Sequence, residues 1–357
     1  MIKITPFFPG DAAQVRALLR YQEEPVPFDS FVSEEKVINS KMSFWQHWVP
    51  IAFHRTTSVY LAKEDNTVLG LIALDSLGKS NHTWQVNQLV VHPRHRGRGI
   101  AEELLRYALA LFGGQGISHF LCEVSNQNSS AISLLVSCGF RRCSRISYYQ
   151  VPIDYSPPEV NYGDADFSAF RIAQPPDGAK IYALHQEIIP PEERRVFNFV
   201  AEDYRINDVK MDRSRFKLEQ SELFWVTEET ERHVIPCAAR VKTSKNGDHL
   251  LEFYVNSGWS HLACDLVNFV VGTTIKAQMQ GMVVIKVFDF QDNVAQALSQ
   301  LGLEPSATCY LMAKEQWMRA KKKKRLRLDP TVTLPSMGKP AINIPYMSDS
   351  NLNLTDS

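Results

Sequence analysis

None of the six cysteines (Cys122, Cys138, Cys143, Cys237, Cys264 and Cys309) forms a Cys-x-x-Cys pair in this chain of 357 residues. That scatter argues against a disulfide framework or a zinc site and suits reduced thiols in a cytosol. An excess of charge of either sign is also missing. The 39 Lys plus Arg balance the 39 Asp plus Glu, so no net field recruits nucleic acid or an anionic membrane as the main partner. No stretch approaches the roughly 18 apolar residues of a membrane span, and the opening MIKITPFFPGDAAQ lacks a secretory apolar core. The ten histidines show no ligand spacing, so no metal is expected. What is present is a chain 44% hydrophobic, long enough for two domains and expected in the cytoplasm.

The first half alternates strands and helices. Ile2 to Phe7 reads as a strand, followed by a helix in GDAAQVRALLRYQ, with Asp11 as N-cap and Val15, Leu18 and Leu19 at helical spacing. SFVSEEKVINSKMSFWQHWVPIAF reads as a helix carrying Trp45 and Trp48. SVYLAKEDNTVLGLIALDS holds two strands joined by a turn, and TWQVNQLVVHP a third. A helix closed by Gly113 and Gly114 comes next, then the β-rich HFLCEVS, a helix ending on Gly139, and the strand RISYYQVPI.

After the Pro- and Gly-rich YSPPEVNYGDADFSAF the same order begins again. VVIKVFDF with NVAQALSQLGLEPSATCYLMAK mirrors HFLCEVS with its succeeding helix and strand, Gly302 matching Gly139 about 163 residues earlier. The expected layout is a domain over 1–155, a linker over 156–166, a second copy over 167–317 and a basic, polar tail over 318–357 containing KKKKRLRLDP. Such a basic run is usually a solvated segment.

The stretch VVHPRHRGRGIAEELL, residues 90–105, carries the chemistry. A helix start packed against a polyphosphate needs free N–H donors, backbone clear of Cβ atoms and the positive end of the helix dipole. Gly97 and Gly99 allow close approach or positive φ, while Arg94, Arg96 and Arg98 offer charge to phosphate oxygens.

The run Arg96-Gly97-Arg98-Gly99-Ile100-Ala101 after VVHP, together with Asn128, Ala131, Leu134, Gly139 and Phe140 further on, resembles the two motifs of the GNAT acyltransferases over residues 1 to about 155. The resemblance implies an α/β (α+β) fold with a central, mixed, mostly antiparallel sheet flanked by helices. It also implies acetyl-CoA as co-substrate, its pyrophosphate on the amides of residues 96–101. The strand ending at Val91 would splay from its neighbour, and Asn128 would lie at the same groove. An amine acceptor, on a small molecule or a protein, would then attack the thioester directly.

An amine with a pKa of about 10.4 (lysine) or about 8 (α-amino) must lose its proton first. Glu123 is the expected base, because relatives that modify ribosomal-protein N-termini carry a glutamate there; Gln85, where other members place one, cannot serve. Leu135 stands where a tyrosine is usual and has no proton to give the leaving thiolate. Tyr148 and Tyr149 are the candidate substitutes. In the second copy YVNSGWSHLA keeps Gly258 and loses every arginine of the loop, so that copy is expected to be degenerate and to shape the acceptor cleft. Glu23, Glu24 and Asp29, in the segment from Pro25 to Phe53 or beside it, are candidates for receiving a cationic amine. An acyl-CoA sensor without catalysis, and an interaction protein recruited through the basic tail, are the rival readings.

Overall fold

A computed structural model describes residues 2–21, 57–78, 82–152, 154–155, 170–206, 222–229, 233–244, 247–277 and 281–316. Trp45, Trp48, Glu23, Glu24, Asp29, the linker over 156–166 and the basic run lie outside them.

The helix expected over 30–53 lies outside the described residues; the other elements of the first half fold in the order read. Asp11, however, turns its carboxylate to Phe8 N–H and Lys63 instead of capping the helix after it. Gly113 and Gly114 lie inside the last turn of theirs, with Gly116 at positive φ beyond it. β1 (Lys3–Pro6) is followed by α1 (Ala12–Leu19), which buries Val15, Leu18 and Leu19. β2 (Ser58–Glu64) and β3 (Thr67–Leu77) form a hairpin whose two loop residues, Asp65 and Asn66, both have positive φ, 46° and 67°. That is the turn whose twist matches the flanking strands. β4 (Thr83–Val91) completes the meander, and α2 (Ile100–Gly114) lays Leu104, Leu105, Ala108 and Phe112 across it. β5 (His119–Ser125), α3 (Ser129–Ser137) and β6 (Arg141–Val151) complete the half.

The second half repeats this order. The strand expected in FRIAQPP shrinks to β7 (Arg171–Ile172); α4 (Asp177–Ile188) comes next, and Pro191 starts an additional helix, α5 (Pro191–Phe197). β8 (Glu222–Glu229), β9 (Val234–Thr243) and β10 (His249–Val255) are the second meander. α6 (Ala263–Ala277), β11 (Val283–Phe288), α7 (Asp292–Gln300) and β12 (Ala307–Glu315) close the chain's described part.

All twelve described strands join one sheet, in the order β1-β2-β3-β4-β5-β12-β6-β11-β10-β9-β8-β7. Among them only β4–β5 and β10–β11 are parallel. The halves exchange their last strands: β12 of the second lies on β5 of the first, and β6 of the first lies on β11 of the second. The exchange obeys the internal repeat residue for residue. Val124 faces Tyr310, and Val287 faces Ser147; moving each partner by the repeat of 163 converts one pairing into the other. β6 and β12 pair with each other in a register that maps onto itself under the same shift, Arg145 facing Tyr310 and Ser147 facing Thr308. A pseudo-twofold axis therefore runs between β6 and β12.

Candidate active site

Two departures from ideal pairing open the first half's sheet. A β-bulge shifts the β3–β4 register between Ala73–Gln88 and Leu74–Val86, leaving Asn87 as the extra residue. Past it the parallel pairing of β4 with β5 stops at Val86–Cys122, although β4 runs on to Val91. His92 donates its N–H to Leu69 C=O on the β3 side (2.8 Å). By strand alternation Val91 turns its own N–H and C=O to the opposite, unpaired edge.

That edge walls a groove of about 630 Å³, its far side formed by Cys122 to Ser125, Asn128, Ala131, Leu134 and Leu135. At its end lie Arg96, Gly97, Gly99, Ile100 and Ala101. Gly97 and Gly99 have φ of 75° and 77°, and a Cβ on either would meet nothing within 4 Å, so clearance and left-handed backbone coincide here. Gly99 is the N-cap of α2, whose first internal bond runs from Glu103 N–H to Gly99 C=O (3.0 Å). The amides of residues 100–102 therefore have no acceptor inside the helix. Arg96 fastens the loop, donating to Val91 C=O (3.3 Å) and Tyr21 C=O (3.2 Å). Arg98 turns away to Glu64 at 3.6 Å. Asn128 caps α3, accepting from Ala131 N–H (3.0 Å).

Glu123 stands at the groove's inner end. Tyr148 O–H donates to Glu123 Oε2, Lys286 Nζ lies 2.5 Å from Oε1, and Gln85 Nε2 reaches Oε1 at 3.4 Å. Burial, then the Glu123 charge, pushes the Tyr148 phenol well above its ordinary value. Tyr149, one residue on, belongs to the opposite face of the sheet, in the core with Leu266, Val287 and Leu303. The structure therefore unites Glu123 with Tyr148 and leaves Tyr149 apart. Leu135 is buried against the helices and strands of the first half.

Residues 20–140 match the model of the acetyltransferase (GNAT) family. The N-alpha-acetyltransferase RimI of Mycobacterium tuberculosis is 33% identical over 111 residues, 29% of this chain and 68% of that protein. The chain belongs to the GNAT acetyltransferase family. A streptothricin acetyltransferase of Streptomyces lavendulae is 33% identical over 79 residues, 22% of this chain and 41% of that protein. Among solved structures, a tandem GNAT protein from the clavulanic acid biosynthesis pathway superposes with a TM-score of 0.52 at 14% identity, covering 90% of this chain and 100% of that one. At that identity the likeness shows the fold: this is a tandem GNAT architecture.

The second GNAT-like half handles the same edge differently. Its parallel pairing ends at Glu252–Lys286. Beyond that point Gln291 Nε2 donates to Phe253 C=O (2.6 Å) and Asn293 Nδ2 to Val255 C=O (3.1 Å). Two side chains thus occupy carbonyls of this edge, where the first half has the bond from Arg96 to Val91 C=O. In place of the glycine loop stands the 3-10 segment Ser257–Leu262 with Trp259.

A second cavity, about 440 Å³, lies between the halves. Asp75, Gln85, Asn87, Glu123 and Tyr148 come from the first half; Phe197, Asp203, Tyr204, Glu222, Arg240, Lys242, Glu252 and Lys286 from the second. Val86, Asn87 and Glu123 line both this cavity and the groove. Burial alone would raise Glu252, but Lys242, Arg240 and Lys286 hold it well below the usual carboxylate range. Burial, then the Arg240 charge, lowers Lys242. These second-half residues are the ones sequence reasoning missed. Their signal was charge inside apolar strands: Arg240 and Lys242 in AARVKT, Glu252 in LLEFYV, Lys286 in VVIKVF.

Proposed function

We propose that the chain transfers an acetyl group from acetyl-CoA to a primary amine of a small molecule, within a complex that holds both at once. The observation that carries this reading is that Glu123, alone among the described titratable residues, lines both the groove and the cavity between the halves. A base at the junction of two sites meets an amine from one and a thioester from the other.

The groove suits the coenzyme: free amides of residues 100–102 and the loop glycines for the pyrophosphate, and the unpaired edge at Val91 for the pantetheine amides. The Val91 N–H also faces where a thioester carbonyl would become negative. The cavity suits the acceptor. Its volume of about 440 Å³ is that of a small-molecule site. Five lining carboxylates (Asp75, Glu123, Asp203, Glu222, Glu252) outnumber three cations (Arg240, Lys242, Lys286), which favours a positively charged guest. In the reaction the bound ammonium first gives one proton to solvent; the neutral amine nitrogen then bonds to the thioester carbon, its second proton passes to Glu123, and the carbon–sulfur bond breaks to release coenzyme A. Transfer is direct in this reading, and burial, which pushes the Cys122 thiol in the groove up to about 12, keeps that thiol protonated. With Leu135 in place of a hydroxyl and the Tyr148 phenol bound to Glu123, the sulfur leaves as the thiolate.

The test is thiol release from acetyl-CoA with a panel of arylalkylamines, diamines and amino-acid amides. Glu123→Gln is expected to lower kcat by about 10² to 10⁴ without weakening coenzyme binding. Leu135 favours one rival, a coenzyme-binding protein without catalysis; acetyl-CoA binding with no amine accepted would select it.

A further inference from the structure

The second half contributes a group to the first half's chemistry. We propose that Lys286 is a positioning residue for Glu123, holding its carboxylate so that the one acceptor site left on Oε2 stays open toward the acceptor amine; this rests on Glu123 being the base.

The count of acceptor sites supports it. An ionised carboxylate offers about four lone-pair sites on its two oxygens. Glu123 Oε1 takes Lys286 Nζ at 2.5 Å and Gln85 Nε2 at 3.4 Å, which fills that oxygen. Oε2 takes the Tyr148 hydroxyl, which leaves one site at the junction of groove and cavity. Two donors on one oxygen and a phenol on the other fix both the rotation of the carboxylate and the acceptor site that is left on Oε2.

Lys286 is itself firmly held. Its side chain and that of Glu123 are each 13% exposed. The ammonium lies 5.2 Å from the Phe288 ring centroid and 5.9 Å from that of Tyr148, and its charge acts on the buried Glu252 carboxylate. Lys286 thus places a compensating cation at contact distance from a carboxylate that is largely out of water.

The repeat explains its origin. Lys286 stands 163 residues after Glu123, so the two are equivalent positions meeting across the pseudo-twofold axis. Where the first half keeps a carboxylate, the second has a cation that serves it. The half whose own groove is stitched by Gln291 and Asn293 thereby remains part of the active site.

The experiment compares Lys286→Met, Lys286→Arg and Glu123→Gln in the full chain, using acetyl-CoA and the panel amine that the unaltered protein turns over fastest. Circular dichroism and melting select folded variants, and Lys286→Gln replaces Lys286→Met should the latter not fold. Lys286→Met is expected to lose on the order of 100-fold in kcat with the KM for acetyl-CoA unchanged, and Lys286→Arg to recover most of the rate. Unchanged kcat in Lys286→Met, or Arg performing no better than Met, would overturn the positioning role while an inactive Glu123→Gln still upheld the base. Full activity in Glu123→Gln, or no turnover of any amine by the unaltered protein, would instead remove the base and this proposal with it.

Discussion

At the scale of single residues, polar groups in the inter-half cavity are held by neighbours that set their charge. His185 is 9% exposed, bonded through Nδ1 to the Tyr204 hydroxyl and packed 4.6 Å from the Tyr254 ring. Burial lowers it to about 3, so it stays neutral in the fold at every ordinary pH. In the unfolded chain it takes a proton below about 6.5. Between those values the unfolded state binds more protons, so stability is full above about pH 6.5 and falls as pH drops toward 3, by up to about 1.4 kcal/mol per pH unit. Urea midpoints at pH 7 and pH 5 check this: the drop should be smaller in His185→Gln, and an equal drop would place the loss elsewhere.

At the scale of elements, the same strand–loop–helix is built twice and finished differently. The parallel pairing stops after four residue pairs in both halves; in the first a bulge at Asn87 follows it and the glycine loop opens α2. In the second, Gln291 and Asn293 bond the matching edge. Coenzyme A titrated calorimetrically into the full chain is therefore expected to bind at one site per molecule. Gly99→Val should abolish that binding while the fold survives, since the left-handed backbone at φ 77° costs a non-glycine residue only about 1–2 kcal/mol but brings a branched side chain to the helix start. Unchanged affinity would refute the phosphate cradle, and two sites per chain would refute the closure of the second groove.

At the scale of the molecule, the exchanged strands make each half depend on the other. A fragment of residues 1–155 lacks β12, which leaves the edge of β5 unpaired, and unpaired edges recruit other strands. Because β6 pairs with its own equivalent in a self-matching register, two such fragments can associate through their β6 strands. That association would set Glu123 against Glu123 where the full chain sets it against Lys286, and like charges at contact oppose it. Sedimentation should show weak self-association of the fragment at neutral pH and a tighter dimer for the same fragment carrying Glu123→Gln. A strictly monomeric fragment in both forms would mean that β6 folds back onto β5.

The reach of each interaction along the chain governs how much of this is legible without coordinates. The glycine–arginine loop is local: positive φ at Gly97 and Gly99 and the start of α2 are dictated by neighbours in the chain, so their letters suffice, whereas the cap that Asn128 makes on α3 is not read from its letters. The internal repeat is likewise legible, because each copy must pattern its own strands and helices. Tyr148 and Tyr149 are not separable without knowing which face of β6 meets the cavity, since a one-residue step reverses the side. The family, the order of elements and the loop that suits a phosphate are thus written in the linear order of residues. The trade of strands between halves, the cavity between them and the meeting of Lys286 with Glu123 arise only in three dimensions, because a charge inside an apolar strand is visible in the sequence but its partner 163 positions away depends on how the halves pack.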